Sequence, residues 1–401
     1  MSNVGIIVDS TFSKKGAWNA EQHCLENFKI SLTESNIPVY FKIVYRKNKF
    51  ILKSKLIYNQ NIVEVQIGLF QKIVLRLMRY YLQKPRDNKL IIFYLKKLII
   101  FKKSIKLTKI DVIISFTPSI WLMYFEGITS IATVWDLGFM KYPQLKEFSN
   151  EKYKNLREIT LIHAMKFATY ILTESNALKS ELIELFGRNP QDIIVTPFVP
   201  LHLSPTMSID HDIIFTQDEF VIYPAAAWSH KNHQILFKAL HNLITNNIKV
   251  RSLVLIGKDI DKDKVIQQYI ANYKIEKYVH LVGLVDEARL VDLYKSCSLL
   301  VMPTLLGPTN LPPLEAILFG KPACISNIHH FDERLKNFFV YIDPYDLHEW
   351  AKCFDKNYDP VHPDSLEVDK IYKSIVKENI FKYSNIISNI NDKKVKSTYT
   401  Y

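Results

Sequence analysis

The feature that most constrains this chain is a rhythm that runs twice. Short runs rich in Ile, Val and Thr, "VGIIVD", "PVYFKIVY", "KIDVIISF", "ITSIATVWD" and "ATYILTES", end in polar or turn residues and alternate with amphipathic, helix-like stretches. Such alternation predicts parallel βαβ units. After "DIIVTPFVP" it breaks at a Pro- and His-containing stretch, "LHLSPTMSIDHD", then restarts with "EFVIYPAA", "RSLVLIG", "VHLVGLV", "SLLVMPT" and "PACISN". A chain of 401 residues also exceeds what one core usually serves. The expected organisation is an α/β N-terminal domain over 1–200, a linker over 201–215 and a second α/β domain over 216–375. A C-terminal helix and tail over 376–401 would follow, with a return to the first domain left open. Each domain is expected to be a doubly wound parallel sheet, and two such domains facing each other would leave a cleft for a ligand.

Composition narrows the class. Apolar residues make up 48% of the chain and charged residues 23%, the balance of a folded soluble protein. Cys24, Cys297, Cys324 and Cys353 lie far apart with no C-x-x-C pair, so neither a zinc site nor a disulfide framework is expected, and a reducing compartment follows. "MSNVGIIVDS" lacks the basic and long apolar regions of a signal peptide, and no apolar run reaches membrane-spanning length. Net charge is +12, but between Phe41 and Ile110 there are 18 Lys plus Arg against 2 acids. That block interleaves cations with Leu, Ile, Phe and Tyr, which suits the headgroup layer of an anionic membrane at about 1 kcal/mol per cation. A solvated helix face is the plainer alternative. No nucleic-acid motif accompanies the charge, so nucleic acid is not an expected partner.

Three strand ends in the second half carry the chemical candidates. In "YPAAAWSHKNHQ", small Ala225 to Ala227 precede His230, Lys231, Asn232 and His233 at a helix start, where Lys231 and free N–H groups could meet an anion. In "VLIGKDID", Gly257 ends a strand and permits close approach of the backbone. In "MPTLLGPTNLPPLEAILFGKPACIS", Gly307 and Pro308 shape a turn, and Thr309, Asn310 and Leu311 could present backbone groups to a phosphate or sugar. Glu315, one turn into the following helix, could accept hydrogen bonds from a vicinal diol such as a ribose. Each feature also has a plainer reading, as a turn, a chance cation or an acid favoured by the helix dipole.

That last stretch resembles the donor-site signature of GT-B retaining glycosyltransferases of family 4. "VHLVGLVDEARLVDLYKSCSLLVMP", "YPAAAWSHKNHQILFKAL", "LTESNALKSELIELFGRNPQDIIVTPFVP" and "TVWDLGFMKYPQLKEF" extend the resemblance over about 131–326, in the family's order. The resemblance implies the GT-B fold: two Rossmann-like doubly wound domains facing a cleft. It implies Lys231 on a diphosphate with His230 or Asn232 assisting, backbone groups from Pro308 to Leu311 on the sugar and phosphate, and Glu315 on the ribose. On the acceptor side it points to Trp135 and Asp136, with Asp136 orienting or deprotonating a hydroxyl or else only forming a turn. Lys15 and Gly16 fall where the family has Gly-rich contacts.

Departures from the pattern are specific. The family pairs two Glu eight positions apart, and here the first place is held by Gly307. An Arg commonly found five residues before the Lys is Ala226, and Trp135 replaces a His. The resemblance implies a metal-independent enzyme with no cofactor beyond a nucleotide-diphosphate sugar donor. It would move a hexose such as mannose, with retention, to a cell-surface polysaccharide or lipid-linked acceptor at the cytoplasmic face of the membrane. A GT-B protein that binds nucleotide or glycan without turnover is the competing reading, and a nucleotide-sugar epimerase of the same fold fits the motif order poorly.

Overall fold

The computed structural model describes residues 2–8, 39–45, 61–64, 77, 112–119, 122, 128–200, 203, 219–307 and 310–393. Two units emerge: Met1–Trp135 with Asn150–Thr196 and Val376–Tyr401, and Asp136–Ser149 with Pro197–Ile375. Most of the expected linker, Lys15, Gly16, Pro308 and Thr309, and nearly all of the basic block lie outside the described residues.

The first unit is built on a seven-stranded parallel sheet. Its strands are β1 (Ser2–Val8), β2 (Val39–Tyr45), β3 (Asn61–Glu64), β4 (Val112–Ser115), β5 (Thr129–Thr133), β6 (Tyr170–Thr173) and β7 (Ile193–Val195). They lie in the order β3-β2-β1-β4-β5-β6-β7. Central β4 is buried along its length, as a strand covered on both faces must be. Helix α1 (Gly138–Lys141) follows β5 in the chain, then α2 (Glu151–Phe167) and α3 (Asn176–Phe186). Ser175 caps α3 by accepting from Leu178 N, and Gly187 closes it at φ 60. The short segment Asp136–Ser149, although placed between β5 and α2 in the chain, belongs to the second unit.

The second unit holds a six-stranded parallel sheet: β8 (Phe220–Pro224), β9 (Ser252–Ile256), β10 (Val279–Gly283), β11 (Leu299–Met302), β12 (Ala323–Ser326) and β13 (Phe339–Ile342). Its order is β10-β9-β8-β11-β12-β13. The chain starts in the middle, winds outward one way and then the other, so β8 and β11 flank the point where winding reverses. Helices α4 (His233–Thr245), α5 (Lys264–Tyr273), α6 (Glu287–Ser296) and α7 (Leu311–Leu318) connect strands, and α8 (Leu347–Lys352) follows β13. Asp263, Asp286 and Asp346 cap α5, α6 and α8, each accepting from one or two free N–H groups of the first turn. Val221, Ile222, Leu253, Val254, Leu300 and Val301 are wholly buried and form the spine of the core. The last helix, α9 (Ser365–Lys393), contributes its residues from Val376 to the first unit, where Lys382 Nζ donates to Val195 O at 2.8 Å. Among the described residues no helix is long and apolar enough to cross a membrane.

Candidate active site

In an open parallel sheet, ligands sit beyond the carboxyl ends of the strands where winding reverses. In the second unit that place is bounded by the loop after β8, Ala225–Asn232, and the loop after β11, which starts at Pro303. His230, Lys231, Asn232, Gly307 and Asn310 among the sequence candidates fall on these two loops, and hydrogen bonds lock the loops together. His230 O accepts from Leu305 N at 2.7 Å and from Thr304 Oγ1 at 3.1 Å. The buried Tyr223 hydroxyl donates to Lys231 O at 2.8 Å. With its backbone held this way, Lys231 extends its ammonium to Asn310 Oδ1 at 3.2 Å.

Lys231 carries the defining charge. Burial pulls its ammonium down to about 8, against the attraction of Asp136 and Glu147. The residue as a whole is partly exposed, so water reaching it moderates that fall. It remains largely cationic at neutral pH.

The neighbouring side chains are used differently from the sequence expectation. Asn232, in the left-handed region at φ 54, donates its amide to Pro303 O at 3.1 Å and Pro344 O at 2.9 Å. It staples the loops, and its N–H groups are not turned to an anion. Gly257 is needed for a different approach from the one expected: a Cβ there would stand 2.4 Å from Ala225 O. The close neighbour is the adjoining strand end rather than a ligand. Gly307 adopts φ 93, a conformation that only glycine takes without strain. A Glu at this position would be strained in this backbone. Leu311, Pro312 and Pro313 open α7, so two prolines remove donors from the helix start and leave Leu311 N–H as the first available one.

Glu315 was expected to offer an open carboxylate. It is instead 5% exposed, and Tyr294 OH donates to its Oε2 at 2.5 Å. Burial pushes this acid up to about 7, with the Tyr294 hydrogen bond opposing the rise. The Oε2 oxygen is thus committed to α6.

On the segment Asp136–Ser149, Asp136 Oδ1 accepts from Gly138 N at 2.8 Å, the turn-forming role. Its charge still acts on Lys231 and His230. Trp135 lies in the first unit, next to that boundary. Gly138 lets the segment settle on the β11 loop, since a Cβ there would meet Leu306 Cδ1 at 3.1 Å. Sequence reasoning missed Glu147, whose Oε1 accepts from both His230 N at 3.0 Å and His230 Nδ1. It is, with Asp136, one of only two acids in "TVWDLGFMKYPQLKEF", and that scarcity was the available signal. Among the described residues no group of three or more His, Cys, Asp or Glu is placed to hold a metal ion.

Two doubly wound parallel α/β units, with a partly exposed cation and a buried carboxyl near the switch point of the second, define the architecture of the GT-B fold. Residues 209–358, the core of the second unit, match the model of the family described as Glycosyl transferases group 1. Among curated relatives, the chain is 25% identical over 209 residues to the O-antigen chain mannosyltransferase RfbU of Salmonella typhimurium, covering 51% of this chain and 54% of that protein. It is 25% identical over 226 residues to the O-antigen chain mannosyltransferase B of Escherichia coli, covering 54% and 58%. The matches thus span little more than half the length of these relatives. Solved structures of the same fold include the sucrose-phosphate synthase of Thermosynechococcus elongatus, with TM-score 0.64, 16% identity and coverage of 97% and 100%. Anabaena HepE in complex with UDP and glucose aligns with TM-score 0.60, 14% identity and 99% coverage of both chains.

Proposed function

We propose that the protein is a retaining, metal-independent glycosyltransferase that moves a hexose from a nucleotide-diphosphate sugar to a glycan or lipid-linked acceptor. The observation that carries this reading is the Lys231 ammonium, placed at the winding reversal of the second sheet and bonded, among the described residues, to the neutral Asn310 amide oxygen. A diphosphate gives that cation a better partner than Asn310 does, by about 1 kcal/mol or more for a charge-assisted bond. During transfer, negative charge grows on the leaving diphosphate, and a cation already in place stabilises it without reorganising. Asn310 and Leu311 N–H complete the contact, and the Glu315 carboxylate takes a ribose hydroxyl. The O-antigen mannosyltransferase relatives favour a mannose-type hexose and a cell-surface polysaccharide as product. Anabaena HepE, a chain of this fold, has been solved in complex with UDP-glucose, a donor of this kind, which supports the reading. The basic block over 41–110 would hold the enzyme on an anionic membrane from the cytoplasmic side, where activated sugars are made.

The direct test presents GDP-mannose, UDP-glucose, UDP-galactose and UDP-N-acetylglucosamine and measures nucleotide release with binding by calorimetry. Turnover of at least one donor is expected, and silence with all four, with no nucleotide bound, refutes the reading. A second reading, binding without turnover, is favoured by Gly307, whose φ of 93 excludes the sugar-contacting acid. Nucleotide affinity without nucleotide release would select it.

A further inference from the structure

The pair formed by Glu147 and His230 is not explained by diphosphate binding. A single oxygen, Glu147 Oε1, accepts from the backbone N–H of His230 and from its ring Nδ1. Two contacts to one residue, one on the main chain and one on the ring, fix both the position of the loop and the rotation of the imidazole. Burial raises the Glu147 carboxyl, but the His230 hydrogen bonds outweigh it and hold the acid at about 2, so it is ionised and can only accept. Nδ1 must then carry the ring proton, and in the neutral ring the lone pair lies on Nε2. Nε2 makes no hydrogen bond among the described residues.

Burial, with the Lys231 cation, keeps the ring neutral. Burial lowers its pKa, the Glu147 bond opposes this, the Lys231 cation lowers it further, and Asp136 raises it. His233, at the start of α4, is itself driven down to about 3 by burial and adds no charge. A neutral imidazole with its only N–H given to Glu147 has nothing to donate to a phosphate. It is built to take a proton. Beside it the Trp228 ring, 52% exposed and 5.4 Å from the imidazole between centroids, offers the apolar face against which sugar rings pack.

We propose that His230 is the proton acceptor for the attacking hydroxyl and that Glu147 is its positioning residue, which sets the tautomer and stabilises the imidazolium. This rests on the glycosyl-transfer reading above. The acceptor oxygen bonds to the anomeric carbon on the face that the diphosphate leaves, as retention requires, and its proton passes to His230 Nε2. The bond from that carbon to the diphosphate oxygen breaks, and the diphosphate leaves with the electron pair. The imidazolium then returns its proton to water. Asp136, whose Oδ1 holds its own turn, is not required for this step.

The test uses the full chain, the four donors named above and water as acceptor. Glu147→Gln places an amide N–H against Nδ1 and favours the other tautomer, so nucleotide release should fall about 100-fold at pH 7. UDP or GDP affinity should stay within twofold, and Glu147→Asp should recover part of the rate. His230→Gln should abolish the acidic limb of the pH–rate profile. Nitrogen-15 spectra of the wild-type imidazole, assigned by comparison with His230→Gln, should show Nδ1 protonated and Nε2 bare, whatever the stability of the variants. A Glu147→Gln enzyme with the wild-type rate between pH 5.5 and 9, or a bare Nδ1 in the wild type, overturns the dyad alone. A wild type that binds no nucleotide and releases none overturns the dyad and the glycosyl-transfer reading together.

Discussion

Two side chains at the site titrate near neutrality, and their shifts have opposite origins. Lys231 is brought down to about 8 and Glu315 up to about 7, each chiefly by burial. A bound diphosphate stabilises the ammonium and so raises its pKa, which makes binding strong below about 8 and weaker as pH rises beyond it. A ribose hydroxyl donates to the ionised carboxylate and lowers its pKa, which makes binding strong above about 7 and weaker below. Donor affinity should therefore peak between about pH 7 and 8, a profile that calorimetry across pH 5.5–9.5 would read; a flat profile would contradict both assignments. Glu315 also has a cost in the empty protein. Its folded pKa lies above the ordinary 4.5, so the destabilisation is absent below about pH 4.5, grows as pH rises and is complete above about 7. The shift corresponds to about 3 kcal/mol. Glu315→Gln, which keeps the bond from Tyr294, should raise the melting temperature at pH 8 but not at pH 4, while nucleotide affinity falls. A Gln variant with unchanged affinity would make Glu315 a purely structural acid.

The loops matter more than the strands they follow. The β8 and β11 ends are joined by His230 O, Thr304 and the Asn232 amide, so Lys231 is presented on a frame rather than on a free turn. Gly257 supports that frame from the third strand end, with Ala225 N donating to Ile256 O at 2.7 Å and Gly257 N to Gly283 O at 2.8 Å. Gly257→Ala forces a Cβ against the Ala225 carbonyl, a backbone neighbour that cannot swing aside. It should cost at least about 2 kcal/mol, read as a lower midpoint in denaturant, and reduce turnover in the protein that still folds. An alanine variant of wild-type stability would show that these strand ends are loosely held.

At the scale of the whole molecule, the sequence displays the architecture because parallel strands are buried on both faces and so appear as short apolar runs between helices. The rhythm from "EFVIYPAA" to "PACISN" corresponds one to one with β8 to β12. The positions of Lys231, Asn310 and Glu315 at strand ends followed from that rhythm. Their partners did not. Glu147 and His230 are 83 residues apart, and nothing periodic in the chain connects them. The bond that Glu315 accepts was hidden because its donor, Tyr294, lies on another helix. The roles of Asn232 and Gly257 were misjudged for the same reason, since both serve neighbouring backbone that only the fold brings near. The basic block of 41–110 makes a prediction for the complete chain. Flotation with phosphatidylglycerol vesicles in 50 mM salt should carry the protein to the lipid fraction, and 500 mM salt should release it. Equal flotation with neutral phosphatidylcholine vesicles would count against that surface.

The central claim, that Lys231 at the winding reversal grips a nucleotide diphosphate, is tested most directly by titrating UDP and GDP into the wild type and Lys231→Ala at pH 7.5. One of the two nucleotides should bind the wild type and bind the variant about 10- to 100-fold more weakly, with the melting temperature not lowered, as expected for loss of one charge-assisted contact. Equal affinity in the two proteins, or no binding of either nucleotide to the wild type, would contradict it.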